Sequence, residues 1–314
     1  VREIQWAIKF NNLYYCNPYE HFNPGEIPSW LNGNKAASFS TNESADPINI
    51  VLPAADTASN KTQFIEKTSL NLETMELNVD ESVQASGLSK HSTIDDILAF
   101  TPYIENDYKN FDGPGLLDEM SERQRSNAEE LMAKEKKEWK ETKPEMMKEL
   151  LQNKYNREVS GTVAFKLVND GRSFKKPDLS YTQKFALKLM TAKAGNDIIL
   201  SLPAIIGDQS KIKPEERTRT SGADVSFART TTWKIYFTVP AGYTVQGINQ
   251  LNRQIRNEAG VFESTATFEN NELVLQVKKQ YCTKYLETSK WPLMVQMLDI
   301  AFNWSQLKLI LKKQ

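Results

Sequence analysis

The last third of the chain constrains the fold most. Trp233-Lys-Ile-Tyr-Phe-Thr-Val239 runs into the turn Pro240-Ala-Gly-Tyr243 and resumes at Thr244-Val245. Gly260-Val-Phe-Glu-Ser-Thr-Ala-Thr-Phe268 is followed by Glu269-Asn270-Asn271 and by Glu272-Leu-Val-Leu-Gln-Val-Lys278. A short helix precedes the closing run Leu307-Lys-Leu-Ile-Leu-Lys-Lys313. Alternation at period two places successive side chains on opposite faces of a sheet. Gly and Asn at the breaks supply the positive φ that tight hairpins need. This is the pattern of a β-sheet body, and it carries no catalytic motif.

Earlier segments extend it. Ile4-Gln-Trp-Ala-Ile-Lys-Phe10, Asn11-Asn12 and Leu13-Tyr-Tyr-Cys16 read as a hairpin, after which Pro18, Pro24, Gly25 and Pro28 forbid regular structure. Residues 34–63 read as a connector holding one strand, Ile48–Leu52. Between Leu70 and Val79 the apolar positions change parity, from 70 and 72 to 75, 77 and 79, which predicts a turn or bulge at Glu73-Thr74. Val83–Leu88 continues extended, and Thr93 with Asp96 reads as the start of a helix. Beyond Gly113-Pro114-Gly115 a charged helix runs from Leu116 to about Tyr155, with Met132, Trp139 and Met146 as one stripe and Pro144 as a kink or break. Strands are expected again at 160–168, 182–190, 197–202, 217–227 and 231–239.

The expected fold is mainly β (α+β), an antiparallel β-sandwich with a long inserted helix at about 93–156 and a short C-terminal helix. Two parts are expected, residues 1–63 and residues 64–314. The core is expected to draw on Phe165, Leu167, Phe185, Leu187, Leu189, Ile199, Ile235, Phe237, Phe262, Leu273, Leu275 and Ile310.

Composition narrows the function classes. In 314 residues, 39 basic and 40 acidic side chains give a formal net charge of −1. A nucleic-acid binder needs a basic surplus to displace counterions, so no nucleic-acid partner is expected. No apolar run approaches the roughly 20 residues of a membrane-spanning helix. The chain opens at Val1 inside an apolar-rich segment and reads as a fragment, so the lack of a signal peptide says little about compartment.

The chemistry-bearing residues are scattered. Cys16 and Cys282 share no motif and read as two separate thiols. His21 and His91 have no second ligand at metal spacing, and no metal or other cofactor is expected. Phosphate-binding glycine loops and the Gly-x-Ser-x-Gly elbow are missing. The acidic pairs Asp95-Asp96 and Glu215-Glu216 read as solvated or locally paired groups, and the sequons at Asn42, Asn60 and Asn303 carry no weight.

Leu13-Tyr-Tyr-Cys-Asn-Pro18 and Pro28-Ser-Trp-Leu-Asn-Gly-Asn-Lys-Ala36 resemble the end of a transglutaminase-like cysteine-hydrolase core. In that family a Tyr-Tyr-x-Asp-Pro-Thr strand carries the Asp that orients the catalytic His, and Asn17 stands at the Asp position. From Phe64 onward the order of features is similar to the region after such a core in bacterial envelope proteins with flanking β-sandwich domains. Those features are the strands at 68–88, the charged helix, Leu200-Ser-Leu-Pro203, Lys213-Pro-Glu-Glu-Arg217, Val239-Pro-Ala-Gly-Tyr-Thr-Val245 and the closing strand.

The resemblance implies an envelope, periplasmic or secreted location and an envelope protein or glycan as partner. It departs where chemistry would start. Arg2 and Glu3 stand where the family's histidine is expected, and Cys16 has no base beside it in sequence. The chain is therefore expected to be a non-catalytic accessory module of an exported transglutaminase-like protein. One alternative is the C-terminal part of an active cysteine hydrolase whose Cys and His lie upstream. Another is a glycan- or peptide-binding sandwich, with Tyr14, Tyr15, Tyr19, Phe22 and Trp30 lining a groove. Against that groove stands a small satellite core beneath a proline-rich loop.

Overall fold

The structure is a computed structural model that describes residues 7–16, 22–23, 25–39, 46–98, 114–115, 117–173 and 175–314. Its strands are β1 (Ala7–Phe10), β2 (Leu13–Cys16), β3 (Lys35–Ser38), β4 (Ile48–Val51), β5 (Lys61–Leu70) and β6 (Leu77–Ala85). The helices α1 (Leu88–Ile97) and α2 (Glu122–Tyr155) follow. Next come β7 (Val159–Asp170), β8 (Leu179–Leu187), β9 (Thr191–Ala194), β10 (Asp197–Leu200), β11 (Ala223–Asp224) and β12 (Arg229–Thr238). The chain continues through β13 (Tyr243–Gln246), β14 (Arg253–Arg256), β15 (Gly260–Glu269), β16 (Glu272–Tyr281) and β17 (Tyr285–Leu286). It ends with α3 (Trp291–Ser305) and β18 (Leu309–Lys313).

The fold is mostly β. Eight strands form one sheet in the order β14-β15-β16-β12-β5-β6-β8-β7, and four form a second, β13-β18-β10-β9. Along β5, β6, β8, β12 and β16 one face alternates inward: Leu70, Val79, Val83, Phe185, Ile235, Phe237, Leu273 and Leu275 are buried. The opposite face carries Lys67, Ser69, Lys184 and Gln276 to solvent. Inner-face side chains share one core with Ile198, Leu200, Leu309 and Leu311 of the smaller sheet, with the end of α2, and with Met294, Val295 and Leu298 of α3. Ile94 and Ile97 of α1 join the same core, so two sheets and three helices enclose a single apolar layer.

The sequence led to the expectation of an antiparallel arrangement, and the large sheet departs from it at one pair of strands. β5 and β12 run parallel, with Phe64 beside Trp233 and Glu66 beside Ile235. Strand pairing at short range is set by hairpin turns, but β5 and β12 meet after about half the chain has intervened. Such a connection is not bound to antiparallel geometry, and local pattern does not report it.

The hairpins follow the turn chemistry. Asn11 and Asn12 have φ of 48° and 62° between β1 and β2, and Asn270 and Asn271 have 51° and 61° between β15 and β16. The parity change after Leu70 is the turn that joins β5 to β6. The segment 34–63 holds more order than a connector, because β3 pairs with β4 and the long strand β5 begins at Lys61.

Four expectations need correction. Helix α1 starts at Leu88, not Thr93, because the side-chain oxygen of buried Asn60 accepts the Leu88 N–H at 2.8 Å and caps it from a distant loop. Gly87 enters that helix at φ 54°, where a Cβ would lie 2.4 Å from the same oxygen. Pro144 does not split α2, which is continuous over 34 residues; Lys140, four residues before it, is exposed, so water can solvate the carbonyl that loses its partner. The buried stripe of α2 is Met147, Leu151 and Tyr155 at period four, while Met132, Trp139 and Met146 are only half-buried. Residues 217–227 are mostly irregular, with only Ala223–Asp224 in a strand; their charged side chains bond locally and to α3, as Arg217 does to Asp299 at 2.9 and 3.0 Å.

Among the expected core residues, Leu167, Leu189 and Ile310 are exposed at 37%, 74% and 41%. Leu189 sits at φ 60° in the turn after β8. Ile199 and Ile310 face each other across β10 and β18 on the outer side, whereas Ile198, Leu200, Leu309 and Leu311 point in. Each run is apolar on both parities, so the sequence does not reveal which face turns inward.

Candidate functional site

Two carboxylates meet in the middle of the large sheet. Glu66 and Glu81 are directly opposite across β5 and β6, both on the inner face and both fully buried. Gln183 faces Glu81 from β8 in the next ladder. Lys154 and Tyr155, on the last turn of α2, come down on this rung. The Lys154 ammonium pairs with Glu81. The Tyr155 hydroxyl donates to Glu81 Oε2 at 2.8 Å and lies 3.4 Å from Glu66 Oε1. Gln183 Nε2 donates to Glu81 Oε1.

The two carboxyls titrate apart. Burial, then the facing charge of Glu81, hold the Glu66 carboxyl well above the ordinary carboxylate range, against the pull of Lys154. Burial also opposes the charge on Glu81, but Lys154, Gln183 and Tyr155 overcome it and hold that carboxyl below its usual value. Burial and the two glutamates push the Tyr155 phenol well up. The setting thus favours the proton on Glu66 and the charge on Glu81, with the partly exposed Lys154 ammonium at the edge of the buried pair.

A cavity of about 510 Å³ opens next to it, between α1, the start of the parallel β5–β12 pair and the Leu202–Ile206 turn. Its aromatic wall is Phe64 and Trp233, stacked at 5.7 Å and 12°, with Phe227 nearby. Hydroxyls of Thr62, Ser89, Thr93, Ser226 and Thr231 line it. Lys154 and Arg229 supply positive charge and Asp208 negative charge. Two polar atoms of these lining residues, Trp233 Nε1 and Ser89 Oγ, are turned away from the open space, buried and without a hydrogen-bond partner. Arg229 Nη1 donates to the Val225 and Phe227 carbonyls, and its guanidinium stands 4.3 Å from the Tyr281 ring. Burial lowers its pKa, and among the described residues no carboxylate pairs with it.

A third constellation ties the N-terminal region to the body. Lys90 of α1 is fully buried and bonds Glu26 Oε1 at 2.7 Å and the Pro177 carbonyl at 2.9 Å. His91 Nε2 lies 3.2 Å from Glu26 Oε2, and the Asn23 N–H donates to the same oxygen at 2.9 Å. Burial opposes ionisation of Glu26, but His91, Lys90 and the Asn23 amide bring its pKa down to about 2. Lys284, after β16, donates to the Ser29 and Asn32 carbonyls at 2.8 and 3.3 Å.

Apart from His91, which contacts Glu26, the residues singled out in the sequence fall elsewhere. Asn17, Tyr19 and His21 lie outside the described residues, as do Arg2 and Glu3. Tyr14 and Tyr15 are neighbours on β2 and project to opposite faces; Tyr14 is half-buried under Lys9, and Tyr15 is exposed. Trp30 is exposed and packs edge-on against Phe22, whose ring lies 4.2 Å from that of His91 at a tilt of 39°. Neither Tyr14 nor Tyr15 makes a ring contact with Trp30. Cys282 is a free, half-buried thiol. Among the described residues no cluster of His, Cys, Asp or Glu could hold a metal ion, and no helix is long and apolar enough to cross a membrane.

Sequence reasoning missed Glu66, Glu81 and the cavity. A signal was present: each glutamate interrupts the inward parity of its strand, in Phe64-x-Glu66-x-Thr68-x-Leu70 and in Leu77-x-Val79-x-Glu81-x-Val83. Comparison of the chain with family models, with curated proteins and with solved structures finds no match. Geometry therefore carries the functional argument.

Proposed function

We propose that this chain is a non-catalytic accessory module of an exported transglutaminase-like protein, and that its β-sheet body holds the segment Phe22–Asn34 in a fixed position. The observation that supports this most is the buried ion pair between Glu26 and Lys90. A lysine with no solvent exposure is retained only where a partner compensates its lost hydration. Here the compensating carboxylate comes from the segment, so docking the segment and burying the lysine are one event. Lys284, just after β16, adds two hydrogen bonds to the same segment. The residue order that resembles the tail of a transglutaminase-like core supports the same reading, as this segment follows the Tyr14-Tyr15 strand.

The test has two arms. Limited proteolysis of Glu26→Gln and of Lys284→Met should cut within residues 22–34 faster than in the parent chain and leave the body intact. Segments equally resistant in all three proteins contradict the anchoring. An acyl-transfer or hydrolase activity of this chain that Cys16→Ser abolishes contradicts the non-catalytic reading.

A further inference from the structure

We propose that the outer face of the large sheet, where β16, β12, β5 and β6 lie side by side, is a docking face for an acidic polysaccharide. It shares no residue with the anchor of the Phe22–Asn34 segment, so the two assignments fail or stand separately.

Three observations carry it. The first is an open depression with a polar wall. A cavity of about 470 Å³ lies on this face at the start of the parallel β5–β12 pair, and apart from Ala58 every residue that lines it is polar or charged. Thr232, Gln63 and Gln84 form one row of that wall across β12, β5 and β6. Gln63 is exposed and Thr232 half-buried, and among the described residues neither side chain has a hydrogen-bond partner. An amide that donates and accepts at once, beside a hydroxyl, suits the neighbouring hydroxyls of a sugar ring.

The second is a line of cations. Lys278 stands beside Thr232 on β16, Lys234 lies two residues farther along β12, and Lys67 on β5 stands beside Tyr236, two residues farther again. Buried residues precede and follow each of the three in its strand, so all three project from the outer face. One strand spacing and two residues of rise separate successive members, about 8 Å. Among the described residues none of the three has an ion-pair partner. The nearest carboxylates are taken: Glu263, beside Lys278, holds Arg256 at 2.6 Å, and Asp80, beside Lys67, holds Lys184 at 2.7 Å. Three unmatched ammonium groups on one line, with Lys61 in the cavity wall, are complementary to a chain that carries negative charge at intervals.

The third is what lies between and around the lysines. Gln276 and Thr265 share the row of Lys234, and Ser82 stands beside Ile65 in the same row, so hydroxyls and amides fill the gaps. These strands are interior to the sheet, so they offer no free backbone edge to an extended peptide. Ile65 and Val274 are half-buried and give a bilayer little apolar surface to receive. A neutral glycan would leave the lysines unmatched. A chain of sugar rings bearing carboxylates uses the hydroxyls, the amides and the ammonium groups together.

The experiment is titration calorimetry of the whole chain with soluble polygalacturonate, dextran, duplex DNA and phosphatidylglycerol vesicles. Polygalacturonate is expected to bind, with the other three each weaker by at least about tenfold. Lys67→Gln combined with Lys234→Gln should weaken polygalacturonate by about tenfold, and Gln63→Ala by about fivefold, with the circular dichroism spectrum unchanged. Absence of polygalacturonate binding overturns the proposal. Dextran bound equally well removes the role of the lysines and overturns it too. DNA or vesicles bound equally well reduce the face to general attraction for polyanions, with the same consequence. Polygalacturonate affinity that the lysine pair and Gln63→Ala both leave unaltered places the binding elsewhere and also overturns it.

Discussion

Glu66 and Glu81 face each other across two antiparallel strands in the centre of the core, and they share their setting unequally. Glu81 takes the ammonium of Lys154, the amide of Gln183 and the hydroxyl of Tyr155. Glu66 is left with a 3.4 Å contact to Tyr155 and one carboxyl oxygen without any partner. One proton on Glu66 and one charge on Glu81 resolve the pair.

The two glutamates should therefore respond differently to the same change. Glu66→Gln replaces a neutral acid by a neutral amide and is expected to alter stability by no more than about 1 kcal/mol near pH 5. Glu81→Gln leaves Lys154 without its counter-charge and is expected to cost about 3–5 kcal/mol. Chemical denaturation of both variants measures this difference.

The pair also sets a pH slope. Glu66 has a raised folded-state pKa, so its contribution is complete below the ordinary carboxylate value and is lost as pH rises toward that raised pKa. Above about pH 4.5 the unfolded chain ionises Glu66 and the folded chain does not, which favours unfolding increasingly with pH. The melting temperature of Glu66→Gln should gain on the parent steadily between pH 5 and pH 8. Parallel pH profiles would show that Glu66 is already ionised in the fold.

Glu26 works in the other direction. Its pKa falls from 4.5 to about 2, so its stabilisation is full above 4.5 and disappears as pH drops to about 2. That shift corresponds to about 3 kcal/mol at neutral pH. Glu26→Gln should be less stable than the parent at pH 7, with the gap narrowing from about pH 4.5 downward. Thermal melts across that range test it, and a gap independent of pH contradicts the ion pair.

Asn60 joins three parts of the chain. Its amide donates to the Asp56 and Ala228 carbonyls at 2.9 and 3.1 Å, and its oxygen accepts the first N–H of α1. Asn60→Ala should cost about 2–4 kcal/mol, since it leaves buried backbone groups unpaired. Its burial also predicts that this sequon stays unmodified when the folded chain meets a glycosylating enzyme. Unfolding free energies and intact mass measure the two outcomes.

What could be read from the sequence was local. Turns at Asn11-Asn12 and Asn270-Asn271, the strands they join, and the existence of a charged helix, though not its continuity through Pro144, all follow from residues a few positions apart. What could not be read depended on distant pairing. Nothing near Phe64 says that Trp233 will lie beside it in parallel, and that neighbourhood builds the cavity. Asn60 starts a helix 28 residues later, so Thr93 looked like the better cap. Glu66 and Glu81 were visible as errors of parity, yet their meaning depends on Lys154 and Tyr155 arriving from the far end of α2.

The anchored segment is the centre of the functional reading, and amide hydrogen exchange measures it most directly. The Leu31 and Asn32 N–H groups donate within the segment, and Leu52 N–H donates to Asn34. In the intact chain these three amides are expected to exchange as slowly as amides of the large sheet and to be released together by Glu26→Gln. Exchange of all three at the rate of an unstructured peptide, in the parent chain at neutral pH, would contradict it.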